Sequence, residues 1–254
     1  MFVVMNHFKY LVVATLVVLG LTSFMLPESK TLANKVKFNY PMQRIKGGTF
    51  KMGDKHGEWD EINVHSVTLK SYSIGISEVT QAQWKSIMGK NPSYDQSDEN
   101  QPVTDVNWND CMEFIKKLNE ITGRKFRLPT EAEWEFAARG GVSSGDFIYA
   151  GSDNPDSVSW QSEFDSEKPH QVMQKKPNEL GLYDMSGNVW EWCSDWWAIY
   201  PTSAQINPKG PISGESRILR GGSWGSSAEY CRTTLRFRRS PSIRTYYYGL
   251  RLAE

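Results

Sequence analysis

The chain has 254 residues, with 29 Lys and Arg against 29 Asp and Glu, so its formal net charge is zero. That balance excludes the clustered basic footprint of a nucleic-acid binder and the polybasic patch of a membrane-surface protein. With 39% hydrophobic and 23% charged residues the chain is not disordered. Its 10 Trp, 11 Tyr, 11 Phe, 20 Gly and 12 Pro favour a compact fold with much ordered irregular structure.

Residues 11–26 carry no charge and follow His7 and Lys9. Sixteen residues fall short of the roughly 20 that span a bilayer. The layout is that of a signal peptide, with small residues Thr31 and Ala33 before a cut after Ala33. An uncleaved membrane anchor is the alternative, because Phe2-Val3-Val4 lengthens the apolar stretch. Residues 1–33 are therefore read as a signal peptide or anchor, and 34–41 as a linker. Either way the body of the protein is expected to be exported, to the periplasm or the extracellular space. A membrane contact is expected only through residues 1–33. Removing them leaves 27 basic and 28 acidic residues.

The first strand is expected at Met42-Gln43-Arg44-Ile45, and a second across Phe50 and Met52, with Gly48 and Gly53 as turn residues. Partial alternation from Val64 to Ile76 predicts a hairpin arm or two strands. Three capped helices follow. Thr80 with Gln83 forms a capping box before Ala82, Trp84 and Ile87. Asn107 caps a helix that sets Cys111, Phe114, Ile115, Leu118 and Ile121 on one face, and Gly123 ends it. Thr130 with Glu133 caps a helix carrying Trp134, Phe136 and Ala137, which Gly140-Gly141 ends. Beyond residue 142 only short strand-like runs such as Arg217–Arg220 appear. The whole predicts one α+β domain with many packed loops. The three cysteines, Cys111, Cys193 and Cys231, include no CxxC pair, which argues against a thiolate zinc site.

Several long segments stand in a recognisable order. Gly47-Gly48-Thr49-Phe50-Lys51-Met52-Gly53 comes first, then Glu78-Val79-Thr80-Gln81-Ala82-Gln83-Trp84. Arg127-Leu128-Pro129-Thr130-Glu131-Ala132-Glu133-Trp134 follows. Next come Gly181-Leu182-Tyr183-Asp184-Met185-Ser186-Gly187-Asn188-Val189-Trp190-Glu191-Trp192, Arg220-Gly221-Gly222-Ser223-Trp224 and Gly249-Leu250-Arg251-Leu252. In this order they resemble the formylglycine-generating-enzyme, or sulfatase-modifying factor, family across residues 42–252. The resemblance implies a variant of the C-type lectin fold, rich in irregular structure, for a domain over 42–254.

In the founding enzymes oxygen converts a sulfatase cysteine to formylglycine, using copper held by two cysteines five positions apart. The matching positions here are Ser226 and Cys231. Copper(I) favours soft thiolates, and a hydroxyl is a poor substitute. Copper is therefore not expected. Iron is not expected either: His56, His65 and His170 are widely spaced and form no ligand motif. The resemblance places Asn188, Val189 and Glu191 in a calcium-ligand motif, so a structural calcium is an expectation. The alternative is that Asn188 stabilises a turn and Glu191 pairs with an arginine.

Trp196, Trp197 and Trp224 are candidates to line a ligand groove, with core packing as the alternative for this tryptophan-rich region. Arg220, Arg232 and Arg236 are candidates to hold a carboxylate or a peptide backbone. They could equally pair with internal acids such as Glu131 or Glu133. Two functions remain open. One is a binding, assembly or maturation factor for an exported protein, a peptide or a small molecule. The other is an oxidoreductase acting on a peptide or small molecule. The missing first cysteine favours the former.

Overall fold

Residues 38–162 and 167–254 are described by the structure, a computed structural model. The expected export segment lies outside them, as do residues 34–37 of the expected linker. Residues 38–41 are not a linker. Phe38 packs against the core, and buried Tyr40 donates its hydroxyl proton to the Ser77 carbonyl at 2.7 Å.

Strands β1 (Met42–Ile45), β2 (Gly48–Met52), β3 (His65–Leu69) and β4 (Tyr72–Gly75) form in chain order. The region from Val64 to Ile76 is two strands, and they belong to different sheets. β1 pairs antiparallel with β4, while β2 pairs antiparallel with β3. Helices α1 (Gln81–Met88), α2 (Trp108–Thr122) and α3 (Glu131–Ala138) follow, then the single turn α4 (Pro155–Val158). Each of the first three starts at a reciprocal capping box: Thr80 with Gln83, Asn107 with Asp110, Thr130 with Glu133. Gly89 and Gly123 end α1 and α2 in the left-handed region, at φ 77° and 69°.

The long loop-rich stretch after α4 leads to β5 (Trp190–Trp196), β6 (Gln205–Ile206), β7 (Arg217–Arg220), β8 (Arg236–Arg239) and β9 (Tyr248–Gly249). The third sheet runs β8-β7-β5-β9, and β6 adds to the edge of β3. Beside a small cluster of Tyr149, Val158 and Cys231, the core has two large clusters. One centres on α1 and α2, where Trp84 stacks on Phe114 with ring centroids 4.8 Å apart. The other joins strands β1 to β4 to α3.

Three buried arginines cross-link these parts. Arg251 is fully buried and donates to the Glu191 carboxylate at 2.8, 3.0 and 3.1 Å, to the Gly75 carbonyl at 2.8 Å and to the Tyr183 carbonyl at 2.8 Å. Glu191 also accepts from Trp134 Nε1 at 2.7 Å. Arg220 pairs with Glu135, and Arg236 pairs with Glu131 through two bonds of 2.7 and 2.9 Å. A buried charge without its partner is strongly unfavourable. Arg251→Ala is therefore expected to cost about 3–5 kcal/mol, read as a lowered urea midpoint.

A second buried pair carries no full compensation. Glu78 is wholly buried with no hydrogen-bond partner at either carboxyl oxygen, and Asp184 Oδ1 is likewise without one. Burial, then the charge of Asp184, pushes Glu78 well above the usual carboxylate range, against the pull of Arg251. Burial likewise raises Asp184. A proton shared between the two carboxyls resolves the conflict. The folded state thus holds protons that the unfolded chain releases, so stability is lost as pH rises past the ordinary carboxylate range. Thermal midpoints are expected to fall from about pH 5 to about pH 8. Glu78→Gln, which keeps a neutral donor, is expected to flatten that fall in melts across the same range.

Candidate functional site

The site is built on the turn that follows β7. Gly221 and Gly222 adopt φ of 98° and 81°. A side chain at 222 would meet Cys231 Sγ at 2.6 Å, so only glycine lets the chain pass beside the thiol. The turn is pinned to the Gly187-Asn188 corner: Gly187 N donates to the Gly221 carbonyl at 2.7 Å, and Trp224 N to the Asn188 carbonyl at 2.8 Å. Asn188 itself is left-handed, at φ 61°.

Ser226 closes this turn. Its hydroxyl accepts from Ser223 N at 3.1 Å and lies 2.9 Å from the Ser223 hydroxyl. Cys231 ends a short 3-10 turn, Ala228–Cys231, and is fully buried. Burial pushes its thiol up to about 12. A neutral, buried thiol is a weak nucleophile. Ser226 and Cys231 do not offer the two thiolates that copper(I) favours: one donor is a hydroxyl already bonded within its turn, the other a single buried thiol.

The expected calcium ligands also do not fit that ion. Asn188 Oδ1 accepts from His170 N at 2.9 Å, and its Nδ2 donates to the His170 carbonyl at 3.4 Å. The Glu191 carboxylate is filled by Arg251 and Trp134, as described above. Val189 is fully buried beside it. Calcium needs six to eight free oxygens. Among the described residues no group of three or more His, Cys, Asp and Glu is arranged to hold a metal.

The expected ligand-binding residues do not converge. Arg220 is interior, donating to Glu135 and to the carbonyls of Thr233, Thr234 and Leu235. Arg236 is engaged by Glu131 and by the carbonyls of Asp60 and Ala198. Arg232 makes two 3.0 Å bonds to Glu61. Trp196 has the Arg217 guanidinium 3.5 Å over its ring, and Trp197 has that of Arg238 at 3.6 Å. These five belong to the internal ion-pair and cation–π framework.

Trp196 and Arg236 line one cavity, and Trp224 lines a separate groove beside the turn at 221–226. Its ring lies 5.9 Å from that of Tyr246 and 4.9 Å from that of Tyr247. With Tyr94, Thr104, Lys168 and Pro169 it lines a cavity of about 340 Å³. Tyr94 is 87% exposed and Tyr246 44%. Neither tyrosine was singled out from the sequence, although the run Tyr246-Tyr247-Tyr248 was an available signal.

Fold and site together define a formylglycine-generating-enzyme-like member of the lectin-type folds, without a thiolate pair. Residues 29–254 match the family described as the sulfatase-modifying factor enzyme 1-like domain, and the chain belongs to that family. It is 37% identical over 233 residues to chaperone protein LppX of Paenibacillus barcinonensis, covering 72% of this chain and 78% of that protein. It is 30% identical to the formylglycine-generating enzyme of Streptomyces coelicolor, covering 83% and 88% of the two chains. The structure of Treponema denticola variable protein 1 superposes with a TM-score of 0.80 at 33% identity, covering 84% and 94%.

All three cysteines are buried and unbridged. Burial raises each thiol above its ordinary value. Iodoacetamide at pH 8 is expected to leave Cys111, Cys193 and Cys231 unlabelled in the native protein and to label all three in urea, as counted by intact mass.

Proposed function

We propose that this chain is an exported binding or maturation factor that has kept the enzyme scaffold without its cysteine-oxidising chemistry. The observation that carries this reading is the state of the old catalytic pair. Ser226 is consumed in its own turn, and Cys231 is buried with its thiol held protonated. The two-thiolate copper site of the founding enzymes cannot be built from them, whereas the aromatic groove lined by Trp224 is open.

That groove suits an extended protein or peptide segment. Trp224, Tyr246 and Tyr94 offer apolar faces with hydroxyl and indole edges, a combination that stabilises interfaces at low entropic cost. Lys168 and Asp95, 3.6 Å apart, supply polar contacts at its rim. A relative named as a chaperone supports the same reading. The uncharged stretch at 11–26 supports export, to the periplasm or the outside of the cell. The described residues hold no helix long and apolar enough to cross a membrane.

The rival reading, an oxidoreductase, draws on the similarity to a formylglycine-generating enzyme. The two differ in one assay. The purified protein is incubated with copper, oxygen and a sulfatase-type cysteine peptide, and the peptide is weighed by mass spectrometry. No aldehyde product is expected. Conversion that disappears in Cys231→Ala would overturn the proposal.

A further inference from the structure

A second cavity, of about 310 Å³, opens away from the Trp224 groove, and the two share no lining residue. Trp196, Tyr200, Met52, Pro201 and Pro208 supply apolar walls. Its charged side chains are Glu131, Arg236, Asp195 and Lys209. Glu131 is neutralised by the two-bond pair with Arg236 and by the Tyr200 hydroxyl at 3.2 Å. Lys209 is exposed and makes no ion pair within 4.0 Å among the described residues.

Asp195 is different. It is 96% buried in the fold, being only 4% exposed. Its Oδ2 accepts from Glu131 N at 3.1 Å and from the Ser194 hydroxyl at 2.8 Å. Its Oδ1 has no hydrogen-bond partner and no cation within ion-pair distance among the described residues. Arg217 feels the charge of Asp195 but makes no ion pair with it within 4.0 Å; it packs between the rings of Trp108 and Trp196 and donates to the Ser194 carbonyl. A buried carboxylate whose oxygen lacks a hydrogen-bond donor is costly.

The other free polar atom points the same way. His65 Nδ1 lies 3.0 Å from the Asn63 carbonyl, and in the neutral tautomer that donates this bond Nε2 is an acceptor. His65 lines the cavity and packs edge-on to Tyr200. The unspent groups are thus acceptors, and the walls are aromatic and apolar.

We propose that this cavity is a binding site for a primary ammonium group on an apolar or aromatic stem, with Asp195 Oδ1 as its counter-ion. The ammonium supplies the missing charge and has three protons for Asp195, His65 and a third acceptor, while the stem lies against Trp196 and Tyr200. Burial, then the charge of Glu131, pushes Asp195 up to about 7, which marks a carboxylate in want of a cation.

The test uses the intact chain and 2-phenylethylammonium chloride, with 2-phenylethanol as the neutral counterpart, followed by calorimetric titration. Saturable binding of the amine is expected, weakened roughly tenfold or more for the alcohol and in Asp195→Asn. Ile199, also in the lining, is 59% exposed, so Ile199→Lys sets a tethered ammonium at the rim without disturbing the core. That variant is expected to lose the probe, and it decides the matter alone if Asp195→Asn does not fold. Absence of saturable binding, equal affinity for the alcohol, or unchanged binding in Ile199→Lys would each overturn the proposal. Binding of Nα-acetyl-lysine amide more tightly than the free amine would assign the ammonium to a protein lysine, and the reverse order to a small amine.

Discussion

The guanidinium of Arg251 is the point on which the architecture turns. It lies two residues beyond β9 and bonds to Glu191 on β5, to the end of β4 and to the loop carbonyl of Tyr183. Through Glu191 it also reaches Trp134 on α3. Its partners lie 60 to 176 positions away in the chain. None of these contacts can form until the ends of the domain have come together. In a low-dielectric interior the ion pair is worth keeping only when every member is satisfied. The structure meets that condition for Glu191, which accepts bonds from both Arg251 and Trp134.

Helix α3 repeats the logic at smaller scale. Eight residues are too few for a helix to be stable in water by itself. Its burial is almost continuous, so it has no wet face to define an amphipathic stripe. It is held by its charges instead: Glu131 to Arg236, Glu133 to Arg127 and Glu135 to Arg220. Asp195 adds a cap on the Glu131 amide. Arg220 and Arg236 are thus engaged by the acids of α3, and Arg232 by Glu61.

The helices were legible because their signals are local. The capping boxes at Thr80 and Thr130 and the cap at Asn107 lie within four residues of the turn they start, and all three form. The strand β1 and the fold family were legible for the same reason, as ordered short motifs. β5 was not, since Trp190 to Cys193 are buried on both faces and show no alternation. The arginine roles were also hidden. Arg220 meets Glu135 at a separation of 85 residues, and nothing near either residue reports the pairing. Phe38 and Tyr40 were assigned to a linker because two aromatics in a short polar stretch carry no period. The cavity around Asp195 gathers residues from 52 to 236, a set that only tertiary folding defines.

The exchange of a thiol for a hydroxyl at 226 has consequences beyond metal preference. A serine oxygen is a strong, short-range acceptor, and here it ties Ser223 at both amide and hydroxyl. A cysteine at the same place forms weaker and longer bonds. The turn is thus stabilised in a closed form by the residue that removes its reactivity. Gly222 meanwhile keeps the backbone tight against Cys231, so the thiol is packed against protein on that side. A cysteine placed at 226 would have to give up the two short bonds to Ser223 and face a thiol that is itself buried.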